Sequence, residues 1–414
     1  MRAAFRSCWK SRRALGLIVV ALVAACLGLD ASRAEARKAE FRRGIGISHV
    51  MAWAPLAGAP SKEFVFPPFG YPEAQFAREL SALRRSGFDF VRFAVDPGPF
   101  LQWQGARREA LEQMLLRNVR LILAHDLSVI VDFHPSDMHP DYVGEKIAAG
   151  ADAPLFRQYL ALLAHTAAAL DGLHSTRIAI ELMNEPPPRA PAWRPMREAA
   201  YAAVRGAAPK LLLVLDGGEE GNLEGTTTLD GYPADPNVLF SFHYYRPWQF
   251  THQGLAGMAA QYLTDVPYPA AARPMPESIT ATTATIDAAA LDAPLRQQAI
   301  AKARKDLESY RASAFDRTTI AADFDRVARW ARDHNVPPER VLVGEFGAMN
   351  NAQRGLPTRQ ANRLRWLADV RAAAEAHAFA WAAWVHSGSV GFSLVSREGS
   401  AELDPDVLRA LGFE

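Results

Sequence analysis

The chain has 414 residues, is 49% hydrophobic and carries a formal net charge of +1, which is apolar material for one large barrel or two to three ordinary domains. This composition excludes a largely disordered chain, and the charge balance leaves no basic footprint for nucleic acid. Both cysteines, Cys8 and Cys26, fall in the N-terminal leader, so the remainder has no thiol for a disulfide.

The leader comes first. Arg2, Arg6, Lys10, Arg12 and Arg13 form a basic start, residues 14–29 are an apolar run, and Ala34-Glu35-Ala36 offers a small-residue cleavage site. Residues 1–36 therefore read as an export signal. The run is shorter than the roughly 20 apolar residues of a membrane span, and an uncleaved anchor is the alternative. Ser11-Arg12-Arg13 suggests twin-arginine export. Val23-Ala24-Ala25-Cys26 resembles a bacterial lipoprotein cleavage site, which would tether the protein to a membrane. Six basic and two acidic residues give the leader +4, leaving −3 for the rest. The expected location is periplasmic or extracellular.

Beyond the leader, β-rich apolar runs alternate with amphipathic helical patterns. The first run is 44–50 (GIGISHV), followed by a helix in PEAQFARELSALRRSG, where Phe76, Leu80 and Leu83 recur at helical spacing and Gly87 stands at the C-cap. Runs follow at 88–95 (FDFVRFAV), 128–134 (SVIVDFH), 177–184 (RIAIELMN), 211–216 (LLLVLD), 238–243 (VLFSFH), 341–346 (VLVGEF) and 379–384 (FAWAAW), with helical patterns over 154–170, 321–334 and 357–377. Nearly continuous apolar strands separated by helices imply a parallel sheet covered on both faces. Eight such units point to an α/β fold, a single (β/α)8 TIM barrel, with a doubly wound sheet as the other solution. Residues 254–320, holding Pro267, Pro269, Pro274, Pro276 and the patch ITATTATIDAAA, break the rhythm between strands six and seven. They are too long for an ordinary connection and read as a loop-and-helix insertion over one barrel face.

In such a barrel the C-terminal strand ends share one mouth. There the runs place Arg92, His134, Asn184-Glu185, His243 with Tyr244 and Tyr245, Glu345 and Trp384. A strand needs none of these groups to fold, and a charge there is unfavourable unless paired or wet. Glu185 and Glu345 are far apart in sequence, yet strands four and seven can aim both carboxylates into one cavity. Facing glutamates are the constellation for glycoside cleavage, one protonated acid and one ionised nucleophile or base. Taken singly, each has a plainer reading: a glutamate paired with an arginine, a satisfied histidine, Arg92 paired with Asp96, or Trp384 in the core with Trp381. Among aromatic residues near the loops, Trp248 and Trp53 are candidates for stacking on sugar faces, while Trp103, Trp193 and Tyr244 read as packing.

The stretches VRFAV, VDFHP, IELMNEP, FSFHYYRP, VLVGEFG and FAWAAW, in this order over residues 41–400, resemble glycoside hydrolase family 5, the cellulase-like retaining (β/α)8 glycosidases. The resemblance implies Glu185 as acid/base, Glu345 as nucleophile and Asn184 as the partner of the sugar 2-hydroxyl. It implies Tyr245 beside the nucleophile, His243 near the acid/base, Arg92 supporting the nucleophile, and His134 and Trp384 as subsite residues. Gly46 and Pro135 depart from the family pattern.

Arg92 would then keep Glu345 ionised by charge attraction, while Glu185, lacking such a partner, would have its pKa raised by the neighbouring ion. The prolines after Glu185 would stiffen the turn leaving it. Asp137, His139 and Asp141 read as solvated loop polarity rather than a metal site. With no phosphate-cradling glycine loop, zinc spacing or complete dinucleotide fingerprint, no cofactor or metal is expected. The expected partner is a polysaccharide or oligosaccharide substrate, most simply a β-1,4-glucan cut by an endoglucanase. A β-mannanase, an exo-β-glucanase and a catalytically silent carbohydrate-binding barrel are the alternatives. No stable protein partner is implied.

Overall fold

The structure, a computed structural model, describes residues 40–58, 62–187, 189–232, 234–350, 360–388 and 391–413. The leader lies outside them. Its eight strands are β1 (Arg43–Met51), β2 (Phe90–Val95), β3 (Ser128–Phe133), β4 (Ile178–Glu181), β5 (Leu212–Asp216), β6 (Val238–Tyr244), β7 (Val341–Phe346) and β8 (Ala380–Ala383). They form a closed barrel in chain order, every neighbouring pair parallel and β1 pairing with β8. The doubly wound alternative is excluded. Helices Glu73–Ser86, Pro154–Asp171, Arg317–Asp333 and Gln360–Ala376 stand where the periodicity puts them. Gly87 closes the first of these at φ 99°, a left-handed cap in which a side chain would be strained.

The strands are nearly all buried because each has two apolar partners. Alternate residues share a face, and the two faces form separate clusters. Val91, Phe93, Val129, Val131, Leu213, Phe240 and Phe242 belong to the large cluster shared with the helices. Phe90, Ile130, Ala179, Leu212, Leu239, Leu342 and Ala380 fill the barrel interior.

The insertion between β6 and β7 folds back as two helices, Met275–Asp287 and Ala293–Ala312. The Tyr310 hydroxyl donates to the Pro267 carbonyl at 2.7 Å, and the Tyr268 hydroxyl reaches Asp369 on the helix before β8 at 2.8 Å. Loop-and-helix is thus the observed form, with more helix than the proline content suggests. Among the described residues no helix is long and apolar enough to cross a membrane.

One tight crossing positions the mouth. After β5 the chain runs through Gly217 and returns past Gly225, and a Cβ on Gly217 would stand 2.3 Å from the Gly225 carbonyl carbon. Backbone cannot yield there as a flexible side chain does. Gly217→Ala is expected to lower unfolding free energy by roughly 1–3 kcal/mol, as overpacking does. Urea melts of the variant beside the wild type measure it.

Candidate active site

Following the interior face toward the strand C-termini, apolar residues give way to charge. Two or four residues beyond Phe90, Ile130, Ala179, Leu212 and Leu239 stand Arg92, Asp132, Glu181, Asp216 and His243, all buried. Arg92 is the hub. Its Nε and Nη2 donate to Glu181 at 2.8 and 2.6 Å, Nη1 donates to Glu345 Oε1 at 2.5 Å, and Nη2 also reaches Asn184 Oδ1 at 2.8 Å. Asp132 lies 3.1 Å from Nη2. Asp96 instead accepts from the amides of Ala54 and Gly98 and from the Ser136 hydroxyl, so the alternative pairing with Arg92 is not formed. Burial favours a neutral Asp216, and the Glu181 charge adds to it, pushing that carboxyl well above the usual range.

Glu345 reaches Arg92 through a slip in the sheet. Leu342 faces the interior and Val343 the helices, so strict alternation would send Glu345 outward with Val343. The register shifts between Phe242 and His243 in the β6–β7 pairing and between Val343 and Phe346 in β7–β8. Phe346 consequently joins the outer cluster, and Glu345 turns inward. The Tyr245 hydroxyl donates to its second oxygen at 2.7 Å. Burial would raise the Glu345 pKa, but the charges of His243, Arg92 and His134 and the Tyr245 bond outweigh it and hold the carboxyl below its ordinary 4.5.

Glu185 is not on a strand. β4 ends at Glu181, three residues earlier than the apolar run 177–184 suggests, and Glu185 sits in a bend at φ 42°. A left-handed, non-glycine residue costs on the order of 1–3 kcal/mol and persists where its surroundings over-determine it. Here the loop after β5 does so: Glu220 donates its amide to the Pro186 carbonyl at 3.0 Å, and His243 donates its amide to Gly221 at 2.8 Å. The expectation that Glu185 lacks a partner is corrected. His243 Nδ1 lies 2.9 Å from Glu185 and 3.7 Å from Glu345. A carboxylate oxygen of each glutamate lies within 4.8 Å of the other.

The aromatic residues gather around this pair. Trp384 stacks on His134 at 5.4 Å and 4° between planes, and Trp53 meets the same imidazole edge-on at 5.4 Å. A Cβ on Gly46 would stand 2.6 Å from the Trp384 ring, which accounts for glycine at that departure from the family pattern. His134 Nδ1 pairs with Asp132 at 2.9 Å, and its Nε2 lies 3.4 Å from the Asn184 amide nitrogen. Trp248 opens the segment after β6, 37% exposed, with the Lys302 ammonium 5.5 Å from its ring. Trp53, His134, Trp248 and Trp384 line one cleft of about 790 Å³ together with Glu185, Glu345, His243 and Tyr245, while Arg92 and Asn184 are not part of its lining. The insertion contributes Tyr310 and Phe315 to its wall.

Trp103, Trp193 and Tyr244 are buried, the last two bonded to the Asp216 carbonyl and to Asp323. The polar groups of the loop with Asp137 are internally engaged, His139 with the Lys62 carbonyl and Asp141 with Lys62 and Lys146. Strand ends alone do not reveal Glu181, Asp132 and Asp216, although each belongs to an apolar run. Their signal was an acid at an inward position of an otherwise apolar strand.

A closed parallel barrel presenting a facing glutamate pair, one member held by a buried arginine, defines a (β/α)8 glycoside hydrolase. Residues 58–388 match the cellulase family, glycosyl hydrolase family 5, and the chain belongs to it. Cellodextrinase A of Ruminococcus flavefaciens is 26% identical over 170 residues, 41% of this chain and 50% of that protein. Endoglucanase 3 of Fibrobacter succinogenes (strain ATCC 19169 / S85) is 22% identical over 278 residues, 66% of this chain and 38% of that protein. The matched regions thus span half or less of these curated relatives. Cel5A of Thermotoga maritima, solved with cellobiose and with mannotriose, shares the fold. In the cellobiose complex the TM-score is 0.63 at 16% identity, covering 91% of this chain and 98% of that one.

The charges define a pH window. Glu345, depressed below 4.5, stabilises the fold fully above that value and loses its contribution as pH falls through the depressed pKa. Burial opposes protonation of His134 and His243, but the carboxylates beside them prevail and raise both above 6.5. Their contribution is full below 6.5 and is lost as pH rises through the raised values. The cluster stabilises most between these limits. In urea melts at a series of pH values, His243→Gln is expected to show a smaller alkaline loss of stability than the wild type.

Proposed function

We propose that this glycoside hydrolase is an exported retaining β-glycosidase acting on β-1,4-linked glucan, most simply as an endoglucanase. The observation that carries the reading is the pair itself: Glu345, held as the ion by Arg92 and Tyr245, with an oxygen within 4.8 Å of one on Glu185. Retaining enzymes keep their carboxyls about 5–5.5 Å apart, whereas inverting ones leave about 6.5–9.5 Å for a water. Export rests on the leader pattern of residues 1–36. Support for glucan comes from the names of the relatives, a cellodextrinase and an endoglucanase.

In this reading Glu345 attacks the anomeric carbon while Glu185 gives its proton to the departing glycosidic oxygen. A glycosyl ester forms on Glu345. Glu185, now ionised, takes a proton from water, whose oxygen attacks the anomeric carbon and releases Glu345. Arg92 holds Asn184 by its Oδ1, which leaves the amide nitrogen to donate to the sugar 2-hydroxyl. His243 keeps Glu185 at the reacting bond, and Trp384 offers its face as a floor for the sugar. Aromatic residues from the β1, β8 and β6 ends and from the insertion share the cleft, which suits a chain of several sugars.

Mannan is the second reading, because the related fold of Cel5A was solved with mannotriose. Glu345→Ala is expected to abolish hydrolysis of an activated aryl β-glucoside, and azide to restore turnover with an α-glycosyl azide as product. Normal hydrolysis by the variant would remove Glu345 from the nucleophile's role. Chromatographic profiling of wild-type products on glucan, mannan and mixed-linkage substrates separates the readings: internal cuts in glucan support the proposal, release from chain ends or from mannan replaces it. Saccharide binding without any turnover would mark a silent barrel.

A further inference from the structure

Where the barrel closes, β1 and β8 pair only from Arg43 with Trp381 to Ile45 with Ala383. Beyond that short seam three segments bring together His49 of β1, Glu79 of helix Glu73–Ser86, and His386, two residues after Trp384. One ring nitrogen of each histidine and one oxygen of Glu79 lie within 4.8 Å of one another. His49 Nε2 and Glu79 Oε2 are 3.0 Å apart, near the roughly 3.3 Å edge of a tetrahedron built on zinc bonds of about 2.0–2.1 Å. The two imidazoles stack at 5.5 Å and 28° between planes. Glu79 and His386 are buried, and the His49 side chain is 10% exposed. None of them takes part in the hydrogen bonds around Glu185 and Glu345.

The outer atoms of this trio already have partners. His49 Nδ1 lies 3.1 Å from the Ser387 hydroxyl, His386 Nε2 lies 3.2 Å from the Ala401 carbonyl, and the Tyr71 hydroxyl donates to Glu79. Metal-bound histidines ordinarily hand their second nitrogen to such a group, which fixes ring and tautomer. The remaining nitrogen of His386, Nδ1, is buried without a hydrogen-bond partner among the described residues. A buried polar atom left unmet is unfavourable, and a cation is the partner this donor set suits. Two imidazoles and one carboxylate favour zinc-like ions over calcium or magnesium, which take oxygen ligands.

We propose that His49, Glu79 and His386 bind a divalent transition-metal cation of the zinc class, with water completing a tetrahedron. The ion joins β1, the first barrel helix and the segment after β8, and so closes the seam beside the strand end that carries Trp384.

Full-length protein stripped with EDTA and titrated calorimetrically with zinc chloride tests this. Expected are one zinc per chain, a rise of several degrees in Tm on loading, and a zinc-edge X-ray absorption spectrum with two imidazoles and one carboxylate. His49→Gln and His386→Asn are expected to lose the site, and Glu345→Gln to keep it. Glu185, His243 and Glu345 also converge within 4.8 Å, so a spectrum with a single imidazole, or binding lost in Glu345→Gln, would put the ion in the catalytic cleft and overturn the proposal. Absence of stoichiometric binding to the wild type would overturn it as well. Should a variant fail to fold, the wild-type spectrum alone decides.

Discussion

One buried guanidinium organises the mouth of this barrel. Arg92 faces Glu181, Asp132 and Glu345 at once and also holds Asn184. Removing one member of such a buried set leaves a charge without compensation, typically a loss of about 3–5 kcal/mol. The sharing also bears on the proposed reaction. When Glu345 becomes an uncharged ester, Arg92 still has Glu181 and Asp132, so its charge never stands alone in the interior. Asp216, pushed toward its neutral form beneath them, avoids adding a further anion to the cluster.

The two glutamates reach the cavity by departures from regular structure. Glu185 occupies a left-handed bend beyond the end of β4, over a loop in which Glu219, Glu220 and Gly221 also have positive φ, at 61°, 59° and 64°. Glu345 depends on the register shifts that turn it from the helix side to the interior. Local rules are broken where function resides and kept elsewhere. The close Gly217–Gly225 crossing and the seat of Trp384 over Gly46 belong to the same pattern, since each needs backbone without a side chain.

The eight strands and their order were legible because a covered parallel strand is an uninterrupted apolar run, and helices between such runs leave few topologies. Site residues at strand ends were legible for the same reason: a polar group closing an apolar run stands out. Three features were hidden. The end of β4 at Glu181 is masked because Leu182 and Met183 continue the apolar run while serving the core outside the strand. Glu181, Asp132 and Asp216 look like ordinary strand acids until the closed barrel shows which alternate residues meet. The left-handed bend that holds Glu185 beside His243, a neighbour the family resemblance already implied, depends on the path of the loop after β5, which no spacing in the chain encodes.

The slip at β7 carries a lesson for anyone who would rebuild this scaffold. An idealised backbone, with each ladder drawn straight and every residue alternating without interruption, would earn a higher score for regularity. It would also rotate the Glu345 carboxylate into the greasy layer beneath the helices, leaving a handsome barrel with an empty hearth.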